Sequence, residues 1–337
     1  MSAPLTETAP FALATRDLRK SYGSRRALDG LDLSVPAGVI YGFLGPNGAG
    51  KTTTMRLLTG LIRRDAGTIE LFGKAVTRTD RPRLFEVGAL VETPTFYPYL
   101  SARSNLRELG AAGGHTERRR IDELLDLAGL TDRADDRVQT YSLGMKQRLG
   151  IAAALLSDPK LLLLDEPSNG LDPSGIAGMR DTLRQLAAQG KTVFVSSHLL
   201  AEVELMADVV GIIANGRLVR EGPLRELLAR PVIKVQVRPE QVDGAIAALK
   251  PLAPAEPLGG PDHDVGWIAV RLASDRTEEL NRVLGSAGIF ASGIETGSDL
   301  EMLFLELTGG QVPSADGASR SGLGSVGDAT RQKGNAS

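Results

Sequence analysis

Gly45-Pro46-Asn47-Gly48-Ala49-Gly50-Lys51-Thr52 follows directly on the apolar run Val39-Ile40-Tyr41-Gly42-Phe43-Leu44 and precedes a helical spacing at Met55, Leu57 and Leu58. The octapeptide fits G-x-x-x-x-G-K-[ST], which joins a buried strand to a helix and wraps a string of phosphates. Its glycines let the loop close tightly, with backbone N–H groups pointing inward at the positive end of the helix dipole. Lys51 is then the point charge on the β- and γ-phosphates, and the Thr52 hydroxyl a ligand for Mg2+. Gly45, Pro46, Asn47, Gly48, Ala49, Gly50 and Thr53 complete the cradle. The stretch reads as a nucleoside triphosphate site in an α/β layered domain.

Further along, Leu161-Leu162-Leu163-Leu164-Asp165-Glu166 reads as a buried parallel strand with two acids at its C-terminal end, where open α/β sheets place their ligands. Asp165 is expected to hold Mg2+ and Glu166 to orient or deprotonate the attacking water, which implies hydrolysis rather than binding alone. Between the strands lie helical patterns. Ile121, Leu124, Leu125 and Ala128 form one, and Ile176, Met179, Leu183, Leu186 and Ala187 another, stopped by Gly190.

Composition narrows the remaining possibilities. With 337 residues the chain is long for one domain, and 42% hydrophobic residues suffice for packed cores. Charge is balanced, 39 Lys+Arg against 41 Asp+Glu, which argues against a nucleic-acid binder working by bulk electrostatics. There is no cysteine, so disulfide frameworks, thiolate zinc sites and cysteine nucleophiles are all excluded. Three histidines, His115, His198 and His263, leave little material for a histidine-rich metal centre. The most apolar stretch, 151–164, is interrupted by Ser157-Asp158-Pro159-Lys160, well short of the ~18 apolar residues of a membrane span. The first residues carry neither a basic flank nor an apolar core, so no signal peptide is expected.

The layered domain is expected over 11–230. In 231–308 a small α+β unit is expected: Ile233, Val235 and Val237 alternate with Lys234, Gln236 and Arg238 as in a half-exposed strand. A helix near 241–249, a Pro/Gly-rich loop over 251–261, a strand over 267–272 and a helix over 277–284 follow. Residues 309–337, rich in Gly, Ser and Ala, read as a disordered tail.

Over 11–230 these residues resemble the ATP-binding subunits of ABC transporters, and Tyr141-Ser142-Leu143-Gly144-Met145-Lys146-Gln147-Arg148 resembles that family's signature L-S-G-G-Q-K-Q-R. Read by itself, Ser142 followed by Lys146, Leu149 and Ala152 is an N-cap opening a helix. The resemblance implies a P-loop NTPase fold with an inserted helical subdomain over about 96–154, ATP and Mg2+ as cofactors, and a homodimer or pseudo-dimer of ATPase subunits. In such a dimer Ser142 and Gly144 meet the γ-phosphate held by the other subunit. It further implies that Tyr22 stacks on adenine, that Asp172 in Ser168-Asn169-Gly170-Leu171-Asp172 links the two nucleotide sites, and that His198 senses the γ-phosphate. Asp172-Pro173 is equally a good N-cap and N1 pair.

Where the family usually carries Gln beside Mg2+ and the lytic water, this chain has Glu92, a carboxylate able to ligate the metal or accept from water. The segment 91–98 resembles the bacitracin- and lantibiotic-resistance branch of drug exporters, and 299–308 resembles that branch and daunorubicin-resistance subunits. The expectation is an ATPase on the cytoplasmic face of the cell membrane that powers a separate transmembrane permease, reaches the membrane only through that partner and binds no nucleic acid. Tyr97, Pro98, Tyr99 and Leu100 are candidates for the permease contact, with local packing as the alternative. Two rival readings are an ABC ATPase acting on ribosomes or DNA, and a regulatory protein whose working part is 231–308.

Overall fold

The strand ahead of the glycine-rich loop is buried at every position, because it runs through a sheet covered on both faces. The computed structural model describes residues 11–77, 86–115, 117–229, 231–258, 266–298, 300 and 302–304. The chain opens with β1 (Phe11–Tyr22), β2 (Arg25–Pro36), β3 (Ile40–Leu44), α1 (Lys51–Leu58), β4 (Ala66–Leu71), β5 (Lys74–Ala75) and β6 (Val87–Leu90). A helical insertion follows, of α2 (Ala102–Ala111), α3 (Arg118–Leu127) and α4 (Leu143–Ala154). The chain then returns through β7 (Leu161–Asp165), α5 (Pro173–Ala188), β8 (Thr192–Ser197), α6 (Leu200–Glu204), β9 (Val209–Ala214), β10 (Arg217–Pro223) and α7 (Leu224–Leu228).

The main sheet has the order β10-β9-β3-β8-β7-β6, parallel except for β10. One face carries Tyr41, Phe43, Leu161, Leu163 and Phe194 against α1 and the inner side of a second, antiparallel sheet, β2-β1-β4-β5. The other carries Ile40, Leu162, Leu164, Val193 and Val195 against α5 and the helical insertion. Two buried faces explain why β7 is leucine at four successive positions rather than alternating. Each such leucine contributes roughly 1.5–3 kcal/mol by leaving water. At the β10 end, Tyr41 Oη donates to Glu221 Oε1 at 2.5 Å, and the same oxygen accepts from Ser34 N at 3.3 Å.

The helices begin where the local chemistry says they should. Ser142 caps α4, its hydroxyl accepting from Met145 N at 3.2 Å. Asp172 caps α5 from Gly175 N at 3.1 Å, with Pro173 at the first helical position. Helix α5 buries Met179, Leu183 and Leu186 and gives way to Gly190 at φ 87°.

Beyond 230 a third sheet and two helices follow, in the order β11 (Pro231–Gln236), α8 (Val242–Leu249), β12 (Ala255–Pro257), β13 (Trp267–Val270), α9 (Thr277–Ser286) and β14 (Gly293–Ser298). Its order β12-β13-β11-β14, all antiparallel with both helices packed into one core, is that of a split βαβ (ferredoxin-like) unit. Three sequence expectations change here. Strand β11 is not half-exposed: Val232 and Lys234 are buried as well as Ile233 and Val235, because β11 is a central strand and Val232 packs with Ala269 and Met302 on the sheet's second face. Residues 255–257 are not loop but the edge strand β12, paired with β13. Strand β14 was not anticipated, its two glycines and exposed Glu295 and Thr296 giving no apolar alternation.

The helical residues 300 and 302–304 return to the first domain. Leu300 and Phe304 pack with Leu44, Val203, Val210, Ile212 and Leu224. The expected tail, and 299, 301 and 305–308 of the segment likened to resistance subunits, lie outside the described residues, as does His263.

Candidate nucleotide-hydrolysis site

The glycine-rich loop leaves β3 at Leu44 and enters α1 at Lys51 without a side-chain cap. Gly50 sits at φ 116°, and a Cβ there would lie 2.8 Å from the Ala27 carbonyl oxygen, so this position admits only glycine. A cavity of about 500 Å³ opens over the loop, lined among others by Asn47, Gly48, Lys51, Thr52, Thr53 and Glu166. Tyr22, Arg25, Asn169 and His198 also line it.

Lys51 is buried, 6% exposed, yet fully supplied with partners. Its Nζ donates to Gly45 O at 2.6 Å and Pro46 O at 3.2 Å and lies 3.2 Å from Glu166 Oε1. The second carboxylate oxygen of Glu166 is 2.6 Å from His198 Nδ1. Glu166 is thus suspended between a cation from the loop and an imidazole from the next core strand, its backbone in the left-handed region at φ 48°. Its own N–H donates to Ser196 Oγ at 3.0 Å, and that hydroxyl donates to Asp165 Oδ1 at 2.6 Å. One buried serine therefore orients both acids. Carboxylate, imidazole and ammonium converging at the mouth of a glycine-rich loop that opens a helix can bind a polyphosphate and take a proton from water beside it.

Gly45 and Ala49 are buried, and Pro46 and Gly50 half-buried, beneath the loop, while Asn47 and Gly48 form its exposed crest. Tyr22 stands at the rim, 45% exposed, next to the two-residue turn that leads to Arg25. Glu92 is not brought into this group: its backbone is at φ 70° and its carboxylate pairs with Arg56 of α1. That carboxylate is the foremost cause of the upward pKa shift of the Arg56 guanidinium.

Ser142 and Gly144 do not line the cavity either; at the start of α4, Ser142 is exposed and Gly144 half-buried. Asp172 is equally outside it, its carboxyl lowered by the hydroxyl of Ser174 first and then by Gly175 N. Sequence reasoning missed Arg25 and Ser196. A basic residue two positions beyond the turn glycine Gly23 was a weak signal for the first, and nothing local pointed to the second.

Exposed Tyr97 and Tyr99 lie on the helical insertion with ring centroids 6.1 Å apart. The backbone N of Tyr97 donates to buried Asn105 Oδ1 at 2.8 Å, and Asn105 Nδ2 donates back to Tyr97 O at 3.1 Å. Nearby, Leu90, Pro94, Phe96, Leu109 and Ala153 line an open groove. Among the described residues no helix is long and apolar enough to cross a membrane.

The ABC transporter family model matches residues 28–169. The chain is 41% identical over 303 residues to the bacitracin transport ATP-binding protein of Bacillus licheniformis, covering 88% of this chain and 97% of that one. It is 38% identical to a daunorubicin resistance ATP-binding protein of Streptomyces coeruleorubidus, covering 89% and 97% respectively. Among solved structures it is similar to a dimeric ATP-binding cassette in a post-hydrolysis state bound to ADP and Pi, with 25% identity and a TM-score of 0.57. That match covers 63% of this chain and 99% of the cassette.

Proposed function

This chain belongs to the ABC transporter family as an ATP-binding, ATP-hydrolysing subunit, and from that premise we propose that it dimerises on ATP to power export of a drug, antibiotic or peptide by a separate permease. In this reading it sits at the cytoplasmic face of the cell membrane, held there by the permease. Relatives named for bacitracin transport and daunorubicin resistance support the cargo class. The groove beside Phe96 and the exposed Tyr97 and Tyr99 support docking of the permease on the helical insertion.

The observation that carries the chemistry is Glu166 held between Lys51 and His198 above the loop. On arrival of ATP, Lys51 exchanges its Glu166 contact for the β- and γ-phosphates. Glu166, released on that side, accepts a proton from the attacking water, while His198 donates toward the γ-phosphate. Tyr22 stacks on the base at the rim, and Ser142 and Gly144 complete the site of the opposing subunit, with Asp172 between the two.

Among the described residues no three Asp, Glu, His or Cys side chains converge into a metal cage. Asp165, fixed by Ser196, and the Thr52 hydroxyl are hard oxygen donors beside the loop. That set fits Mg2+, which binds through one or two protein oxygens together with phosphates and water. When bound, Mg2+ neutralises charge developing on the phosphates. Glu92 joins this set only after leaving Arg56.

The test is Glu166→Gln, whose amide keeps the shape but cannot take the proton. Steady-state hydrolysis should fall by at least ~100-fold, and the tagged variant with ATP should come out of detergent-solubilised native membranes as a dimer carrying a polytopic protein. Undiminished turnover would remove Glu166 from its role. Recovery of ribosomes or soluble partners alone would remove the transport proposal.

A further inference from the structure

Glu202 is a carboxylate only 9% exposed, on α6, with no place in the chemistry above. It has two partners, both buried serines. Ser168 Oγ donates to Glu202 Oε2, and Ser197 Oγ donates to the same oxygen at 3.1 Å. Ser197 precedes His198, and its carbonyl accepts from the first residue of the phosphate loop, Gly45 N, at 3.3 Å. Ser168 lies two residues after Glu166 and opens the turn that ends at Asp172.

The far side of that turn touches α4. Gly170 is at φ 76°, and a Cβ on it would lie 2.3 Å from Leu143 Cδ2; a Cβ on Gly144 would lie 3.2 Å from Leu171 Cδ2. The 168–172 turn is therefore clamped, by Leu143 and Gly144 on one side and by Glu202 on the other. One carboxylate oxygen joins the turn that ends at Asp172 to the strand end that carries His198.

We propose that Glu202 is a positioning residue. By gathering Ser168 and Ser197 on one oxygen, it makes the 168–172 turn and His198 move as a unit, so that engagement of Ser142 and Gly144 with the opposing nucleotide is transmitted to the residues that handle the water. Glu202 touches no substrate. The inference rests on the hydrolysis roles given above to Glu166 and His198. Loss of the clamp should leave nucleotide binding intact and slow the step after it. A misplacement of catalytic groups on the ångström scale lowers turnover by about 10- to 100-fold.

The experiment compares Ser168→Ala, Glu202→Gln and Glu202→Leu in the full chain, measuring kcat and the Hill coefficient for MgATP hydrolysis together with Kd for a fluorescent ATP analogue. Ser168→Ala and Glu202→Leu should lower kcat about tenfold or more and bring the Hill coefficient toward one, with Kd within about twofold of the parent. Glu202→Gln, whose amide oxygen still accepts both hydroxyls, should keep at least half of kcat. If Kd rises in step with the loss of kcat, or Gln is as damaging as Leu, the role is general packing and the proposal fails. If Ser168→Ala, the mildest of the three, is fully active and cooperative, it fails as well. Glu166→Gln separates the two levels: an inactive Glu166→Gln beside a normal Ser168→Ala overturns only the clamp, whereas an active Glu166→Gln overturns the site reading beneath it.

Discussion

Half-buried Glu221 of β10 faces the buried phenol of Tyr41 of β3 across the intervening strand β9, and burial pushes both groups upward, the carboxyl of Glu221 above its ordinary range and the phenol of Tyr41 well above its own. The hydrogen bonds from Tyr41 and Ser34 N pull the carboxyl back only in part. A carboxyl whose folded pKa is raised binds its proton more tightly in the folded chain than in the unfolded one. Its stabilising contribution is complete below the ordinary glutamate value and is lost as pH rises through the folded one. Glu221→Gln keeps an acceptor for Tyr41 but removes the titration. Relative to the parent, the variant should therefore gain stability as pH rises from below the ordinary glutamate value to neutrality, as read by urea unfolding at the two ends of that range. A stability difference that does not change with pH would show that Glu221 does not titrate there. Such pairs were invisible in the sequence because their members lie 180 positions apart. Ser196 escaped notice for the same reason, while Lys51, Asp165 and Glu166 were legible because phosphate and water chemistry confine them to short, fixed spacings.

Among the elements, those with a chemical start and a single periodicity were readable. Helix α5 runs from the Asp172 cap to Gly190, and α4 opens at Ser142 where the spacing expected it. Strands β1 and β2 were not, although each has 12 residues. Both mix charges with apolar residues and shift register at several points, and β1 turns through Asp17 at φ 48°, so neither shows an unbroken period of two. The return to the first domain at 300 and 302–304 escaped detection because its apolar residues face two different surfaces. Met302 meets Val232 and Ala269 of one sheet, while Leu300 and Phe304 meet Val210 and Ile212 of another. Phe304 is 3% exposed. Phe304→Ala should cost about 3–5 kcal/mol, measured as a lower urea midpoint with an unchanged slope. A loss below about 1 kcal/mol would show that the site collapses around the truncation.

At the scale of the molecule, the described residues join the two domains where the chain passes into β11 and again where 300 and 302–304 come back. A chain cut after residue 229 therefore loses more than the ferredoxin-like unit. It loses the cover over Leu44, Val210 and Ile212, and an uncovered apolar patch is a site of association. The shortened chain should bind a hydrophobic dye and aggregate at concentrations where the full chain is monodisperse, by light scattering. A dye-silent, monodisperse fragment would show that α6 and α7 close the patch unaided.

That second junction also fixes an order of events in time. During synthesis the residues of β3 and β9 leave the ribosome long before residues 300–304 exist, and domains otherwise fold as units from the N-terminal end. The cover over the face of the ATPase sheet that backs Leu44, the residue immediately before the phosphate loop, is completed when Leu300 and Phe304 join Val203 and Leu224 there. The nascent ATPase domain thus waits on Leu300 and Phe304, and their emergence, rather than that of β3 and β9, marks the moment at which the nucleotide site gains its finished support.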